Sequence, residues 1–117
     1  MEKCDFNHIK VYKNEIDFMN EVRLELSKRG NVVFRGNVGK VLTIDGKYFS
    51  TGLPTGFSDL FGVTPEGKAF FIETKIKPNT PLQEQVLFLK RMRKQGALCG
   101  VAYTMQDALD ILREENK

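Results

Sequence analysis

Histidine and cysteine are scarce in this chain, and their scarcity removes whole classes of chemistry. His8 is the only histidine, and the two cysteines, Cys4 and Cys99, lie near opposite ends of the sequence. That leaves no His/Cys set for a zinc site, no CxxC pair and no disulfide framework. Both thiols are expected to stay reduced, as in an intracellular compartment. No apolar run approaches the ~20 residues that a membrane crossing takes. The amino-terminal MEKCDFNHIK lacks the apolar centre of a signal peptide, so the expected location is the cytoplasm. Gly36–Lys40 reads GNVGK, which does not satisfy the GxxxxGK[ST] spacing of a P-loop, and ATP use is not indicated. There is no repeat, linker or low-complexity segment. Nor is there much excess of one charge: the net of +3 is common among enzymes and does not by itself identify a polyanionic partner.

What is present is the balance of an ordinary globular protein. The 117 residues are 41% hydrophobic and 28% charged, enough for one domain over residues 1–117 with a single modest core. The placement of charge says more than its sum. Lys90, Arg91, Arg93 and Lys94 cluster at the end of one expected helix, with Lys75 and Lys77 before it. Such a cluster serves either the helix carboxyl end and a solvated face, or phosphate contact.

Residues 1–13 show no clear periodicity, although Phe6, Ile9, Val11 and Tyr12 could form a short arm. Asn14 as cap and Gly30 as stop predict a helix near 15–29. At 100° per residue Phe18, Met19, Val22 and Leu26 form its buried stripe. Glu15 lies close to the centre of that stripe, Glu21 on its flank and Glu25 near its edge. An acid at this position can be a first-turn residue favoured by the helix dipole. A strand is expected over Asn31–Phe34. A hairpin is expected over Val41–Ile44 and Lys47–Phe49, around Asp45-Gly46. Pro78 and Pro81 interrupt the chain before a second helix over 82–95, whose inward face holds Leu89 and Met92 with Gln85 in line. That amide needs a partner, and a cap to the preceding loop is one. A strand over Ala97–Tyr103 and a helix over Met105–Glu114, with Ala108, Leu109 and Leu112 inward, complete an α/β domain: a mixed sheet flanked by helices.

The rest of the chain serves the stretch from Gly56 to Gln85. Two apolar runs, Phe57–Val63 and Ala69–Ile76, flank a Thr-Pro-Glu-Gly turn signal, which predicts a β-hairpin. Alternation puts Phe71, Glu73 and Lys75 on one face and Phe70, Ile72, Thr74 and Ile76 on the other. Asp59, on the preceding strand, can approach Glu73 and Lys75 from across the pair. Two carboxylates brought together repel unless a cation or proton lies between them. A hard divalent ion with oxygen ligands answers that, with the Lys75 ammonium beside a water. A solvated strand face carrying a Glu/Lys pair is the other reading of the same residues.

The set Asp59, Glu73-Thr74-Lys75 and Gln85 resembles the PD-(D/E)xK nuclease motif. Within that superfamily GFSDLFG…FFIETK…LQEQ…FL is similar to the VRR-NUC (virus-type replication-repair nuclease) family, including its small phage-encoded stand-alone members, over about Glu15 to Leu109. The segment RGNVGKV…DGKYFSTGLPTGFSDL resembles the phage group as well. Ser58 stands where the motif has proline. The resemblance implies a restriction-endonuclease-like core to which the Asp45-Gly46 hairpin is an addition. It implies Mg²⁺ or Mn²⁺ on Asp59, Glu73 and the Thr74 carbonyl, and Lys75 at the attacking water. It also implies Gln85 pointing into the centre and Glu15 holding a metal-bound water or a second ion. The activity implied is metal-dependent DNA endonuclease action, Holliday-junction-resolvase-like, in a bacterial or phage-infected host cell. Arg35, Lys40, Lys77, Lys90, Arg91, Arg93 and Lys94 are candidate phosphate contacts, although salt bridges would use the same residues. Resolvase-like action on both strands calls for a homodimer; Phe49, Leu53 and Phe57 are available to build it or belong to the core. A nucleic-acid-binding module without the chemistry is the alternative function.

Overall fold

A computed structural model describes residue 12 and residues 14–36, 40–42, 44–50 and 52–113, with the backbone alone for 40–42 and 48–50. The remainder of the expected amino-terminal arm, the side chains of Lys40 and Phe49, and Glu114 lie outside the described residues.

Helix α1 spans Glu15–Lys28, and the Asn14 side chain accepts from the Asp17 N–H at 2.9 Å, the cap that the sequence predicts. Its stripe of Phe18, Met19, Val22 and Leu26 is buried. Strand β1 (Val32–Arg35) follows, then the short pair β2 (Lys40–Leu42) and β3 (Tyr48–Ser50) around Asp45-Gly46. β2 and β3 form their own two-stranded sheet, separate from the main one, as expected of an added hairpin.

The central hairpin is β4 (Leu60–Val63) and β5 (Ala69–Thr74), joined at the Thr64–Gly67 turn. β4 begins three residues later than the apolar run from Phe57 suggests, because Gly56 and Phe57 turn the chain under a helix instead of extending the strand. Helix α2 (Gln83–Lys94) leads from β5 to β6 (Leu98–Ala102), and α3 (Met105–Arg113) closes the chain. The Lys77–Pro78 peptide between β5 and α2 is cis.

The main sheet has the order β1-β4-β5-β6, antiparallel except for the parallel β5–β6 pair. Leu60, Phe70 and Ile72 face α1 and α3, and with Phe18, Val22, Leu26 and Ala108 they form the core. α2 covers the opposite face. There Phe88 packs on Phe57 and Phe71, and Phe34 and Phe61 continue the aromatic layer toward β1. Phe57 is therefore part of this layer and half-buried. No helix among the described residues is long and apolar enough to cross a membrane.

Candidate active site

The strand register carries the carboxylates together. Leu60 pairs with Ile72 at the end of β4, so the next step of the same antiparallel ladder sets Asp59 opposite Glu73, on one face. The contact is direct: the Asp59 N–H donates to Glu73 Oε1 at 3.3 Å. Asp59 Oδ2 in turn accepts from both the N–H and the hydroxyl of Thr74, at 3.0 and 2.9 Å. The Thr74 hydroxyl was not anticipated. The available signal was a hydroxyl on the otherwise apolar face of Phe70 and Ile72, which on burial must find a partner.

Glu73 is 1% exposed. Its Oε2 accepts from Gln85 Nε2 at 2.8 Å and lies 3.9 Å from the Lys75 ammonium. Gln85 Oε1 also accepts from the Leu82 N–H at 2.7 Å, so the side chain caps α2 while its amide nitrogen reaches Glu73. Phe71, two residues before Glu73 on β5, and Phe88, one turn after Gln85 on α2, meet edge to face with ring centres 5.5 Å apart. That aromatic contact holds α2 to the sheet. Burial, and then the neighbouring Asp59 charge, push the Glu73 carboxyl from an ordinary 4.5 up to about 8; the Lys75 ammonium works in the opposite direction.

Crowded carboxylates of this kind hold a proton or a divalent cation between them. Among the described residues no third Asp, Glu, His or Cys joins them to form a cluster. The protein therefore offers two carboxylates, with backbone and solvent oxygens to complete a shell. Among the described residues this is a donor set of hard oxygens.

Ser58, in place of proline, is buried and its hydroxyl donates to the Leu60 carbonyl at 2.8 Å, so it shapes the backbone and leaves Asp59 free to turn toward Thr74. Gly36 and Gly56 allow the close approaches around this turn. A Cβ on Gly36 would lie 2.2 Å from the Ser58 carbonyl oxygen, and one on Gly56 would lie 2.5 Å from that of Glu84. A cleft of about 240 Å³ opens beside Asp59, between Gly36, Phe57, Leu82 and Gln85. Larger clefts of about 350 and 480 Å³ lie around Glu66 at the opposite end of the sheet.

Other predicted residues divide between the two ends of the molecule. Arg35, at the end of β1, and Lys77, after β5, are exposed at the same end of the sheet as Asp59 and Glu73. The Lys77 ammonium lies 5.6 Å from the Tyr103 ring centre. Lys90, Arg91, Arg93 and Lys94 occupy the far end of α2, and Lys94 is about 14 Å along the axis from Gln85 at 1.5 Å per residue. The Arg93 guanidinium donates to the Cys99 carbonyl. Glu15 is not gathered with Asp59 and Glu73: its Oε2 accepts from the Ile76 N–H at 3.4 Å and from Asn79 Nδ2 at 3.0 Å. Periodicity aligns it with the buried stripe, but the first turn of α1 lies against the loop after β5. Asn79 carried no signal in the sequence.

No family model and no curated protein matches the chain. Among solved structures, a VRR_NUC domain superposes on 88% of this chain and 99% of its own, with a TM-score of 0.59 at 20% identity. The chain has the mixed α/β fold of that VRR-NUC domain.

Proposed function

We propose that this protein is a VRR-NUC-type nuclease that hydrolyses DNA phosphodiester bonds with Mg²⁺ or Mn²⁺. The observation that carries the reading is the closed set of contacts joining Asp59, Glu73, Thr74, Lys75 and Gln85 at one sheet end, with Glu73 buried against a second acid. A protein that only bound DNA would gain nothing by gathering two acids against a polyanion.

Asp59, Glu73 and the Thr74 carbonyl would hold the ion. When bound, it supplies Lewis acidity to the phosphate and lowers the pKa of a water. Thr74 aligns Asp59 through its N–H and hydroxyl, and Gln85 aligns Glu73. Lys75 holds the attacking water and offsets the negative charge that grows on the phosphoryl oxygens. Water adds to phosphorus, the bridging P–O bond breaks, and the departing oxygen leaves with a proton. Arg35 and Lys77 flank this rim as phosphate contacts. Lys90, Arg91, Arg93 and Lys94 serve as outlying ones, and Lys40 is a further candidate from the sequence.

Branched DNA, of which a four-way junction is the test case, is the substrate class, and a homodimer supplies one centre for each strand. The assay is incubation of labelled duplex and junction DNA with Mg²⁺, Mn²⁺ or EDTA. Cleavage with either ion and none with EDTA is expected, and Asp59→Ala and Glu73→Ala should abolish it while leaving the fold intact. Binding without cleavage in every metal would favour a DNA-binding module on the same fold.

A further inference from the structure

Glu15 sits at the centre of a hydrogen-bond arrangement that the resemblance does not account for. Its Oε2 takes two donors from the loop after β5, the Ile76 N–H at 3.4 Å and Asn79 Nδ2 at 3.0 Å, reaching across 61 and 64 positions of sequence. Asn79 is fixed twice more: its N–H donates to the Ile76 carbonyl at 2.9 Å, and its carbonyl accepts the Tyr103 hydroxyl at 3.0 Å. Just before this turn the Lys75 N–H donates to the Ala102 carbonyl at 3.0 Å. The segment 75–79 is thus fastened from α1 on one side and from the end of β6 on the other. Beyond Thr74 the regular strand has ended, so these bonds set the path of the backbone that carries Lys75. We propose that Glu15 is a positioning residue, a buckle that fixes the Ile76–Asn79 turn and thereby holds Lys75 beside Glu73.

The inference rests on the nuclease reading for its activity readout and on nothing beyond hydrogen bonding for its structural one. A buckle needs only an acceptor oxygen, whereas tight binding of a divalent ion draws on the carboxylate's negative charge. Glutamine separates the two, since its amide oxygen accepts the same two bonds. The experiment measures kcat and KM on junction DNA, Mn²⁺ affinity by calorimetry, and thermal melting for Glu15→Ala, Glu15→Gln, Asn79→Ala and the double alanine variant. Glu15→Ala and Asn79→Ala are expected to lower kcat by about 10- to 100-fold, the scale of a small misplacement of a reacting group, with Mn²⁺ affinity and KM within about twofold. Glu15→Gln should recover most of that loss. The double variant should be no worse than the poorer single one, because the two residues act through one contact. A Glu15→Gln protein as slow as Glu15→Ala, with weakened Mn²⁺ binding, would overturn the proposal. If the wild type cleaves no DNA in any metal, the nuclease reading alone falls. Melting then decides the buckle: non-additive losses at Glu15 and Asn79 support it, and additive losses refute it. Should Glu15→Ala fail to fold, Glu15→Gln set against Asn79→Ala carries the same comparison.

Discussion

Glu73 is the residue at which burial and charge oppose each other most strongly, and this gives a signature in metal-free protein. Its carboxyl is raised from 4.5 to about 8, chiefly by burial and next by Asp59. Between those values the folded chain binds a proton that the unfolded chain does not. Stability from this group is therefore fully present below about pH 4.5 and is lost as pH rises through 8. The slope is at most about 1.4 kcal/mol per pH unit within that window. In EDTA the thermal midpoint should fall from pH 5 to pH 8, and Glu73→Gln should flatten that limb. Saturating Mn²⁺ should do likewise, by replacing the proton. A wild-type midpoint that rises across this window in EDTA would show that Glu73 is not held protonated. At this scale Asp59, Glu73 and Lys75 were legible in the sequence, because strand alternation and a short turn fix which side chains share a face. The Thr74 hydroxyl bond and the Asn79 contact to Glu15 were not, since alternation sets Thr74 on the face away from Glu73 and the Asn79 contact depends on the path of a loop.

Among the elements, the turn from Gly56 to Asp59 is held tightly by local packing. Gly36 donates its N–H to the Asp59 carbonyl at 2.7 Å, and its α-carbon faces the Ser58 carbonyl. A methyl group there must displace backbone, which costs about 1–3 kcal/mol. Gly36→Ala should therefore lower the thermal midpoint by about 5 °C or more, and it should weaken cleavage by moving Asp59. An unchanged midpoint with unchanged cleavage would mean that the turn yields freely. The helices and the β4–β5 hairpin were readable from caps, glycine stops and apolar spacing. Less readable was the role of Phe88: it shares the inward stripe of Gln85, Leu89 and Met92, but its contacts with Phe57 and Phe71 follow only once α2 is known to cross the sheet face opposite α1 and α3. The start of β4 was misplaced for the same reason, as Phe57 is apolar for the sake of α2 and not of a strand.

The whole molecule is polarised. Arg35, Asp59, Glu73, Lys75, Lys77 and Gln85 share one sheet end, and the cluster from Lys90 to Lys94 lies at the other end of α2. Phosphate contacts at both ends predict graded effects. Lys77→Ala should reduce cleavage more than Lys90→Ala, while each flattens the dependence of binding on salt by about one phosphate contact. Equal losses in cleavage would place the DNA across the far end of α2 instead. Sedimentation at micromolar concentration should give a dimer that cuts both strands of a junction; a monomer cutting one strand would remove the two-centre arrangement. The central claim, that the Asp59–Glu73 pair and Lys75 form a hydrolytic centre, is tested most directly by cleavage of a labelled four-way junction by purified Lys75→Ala in Mg²⁺ and Mn²⁺. A folded protein that binds ion and DNA but leaves the junction intact is expected; metal-dependent cleavage at the wild-type rate would rule out Lys75 as part of a hydrolytic centre.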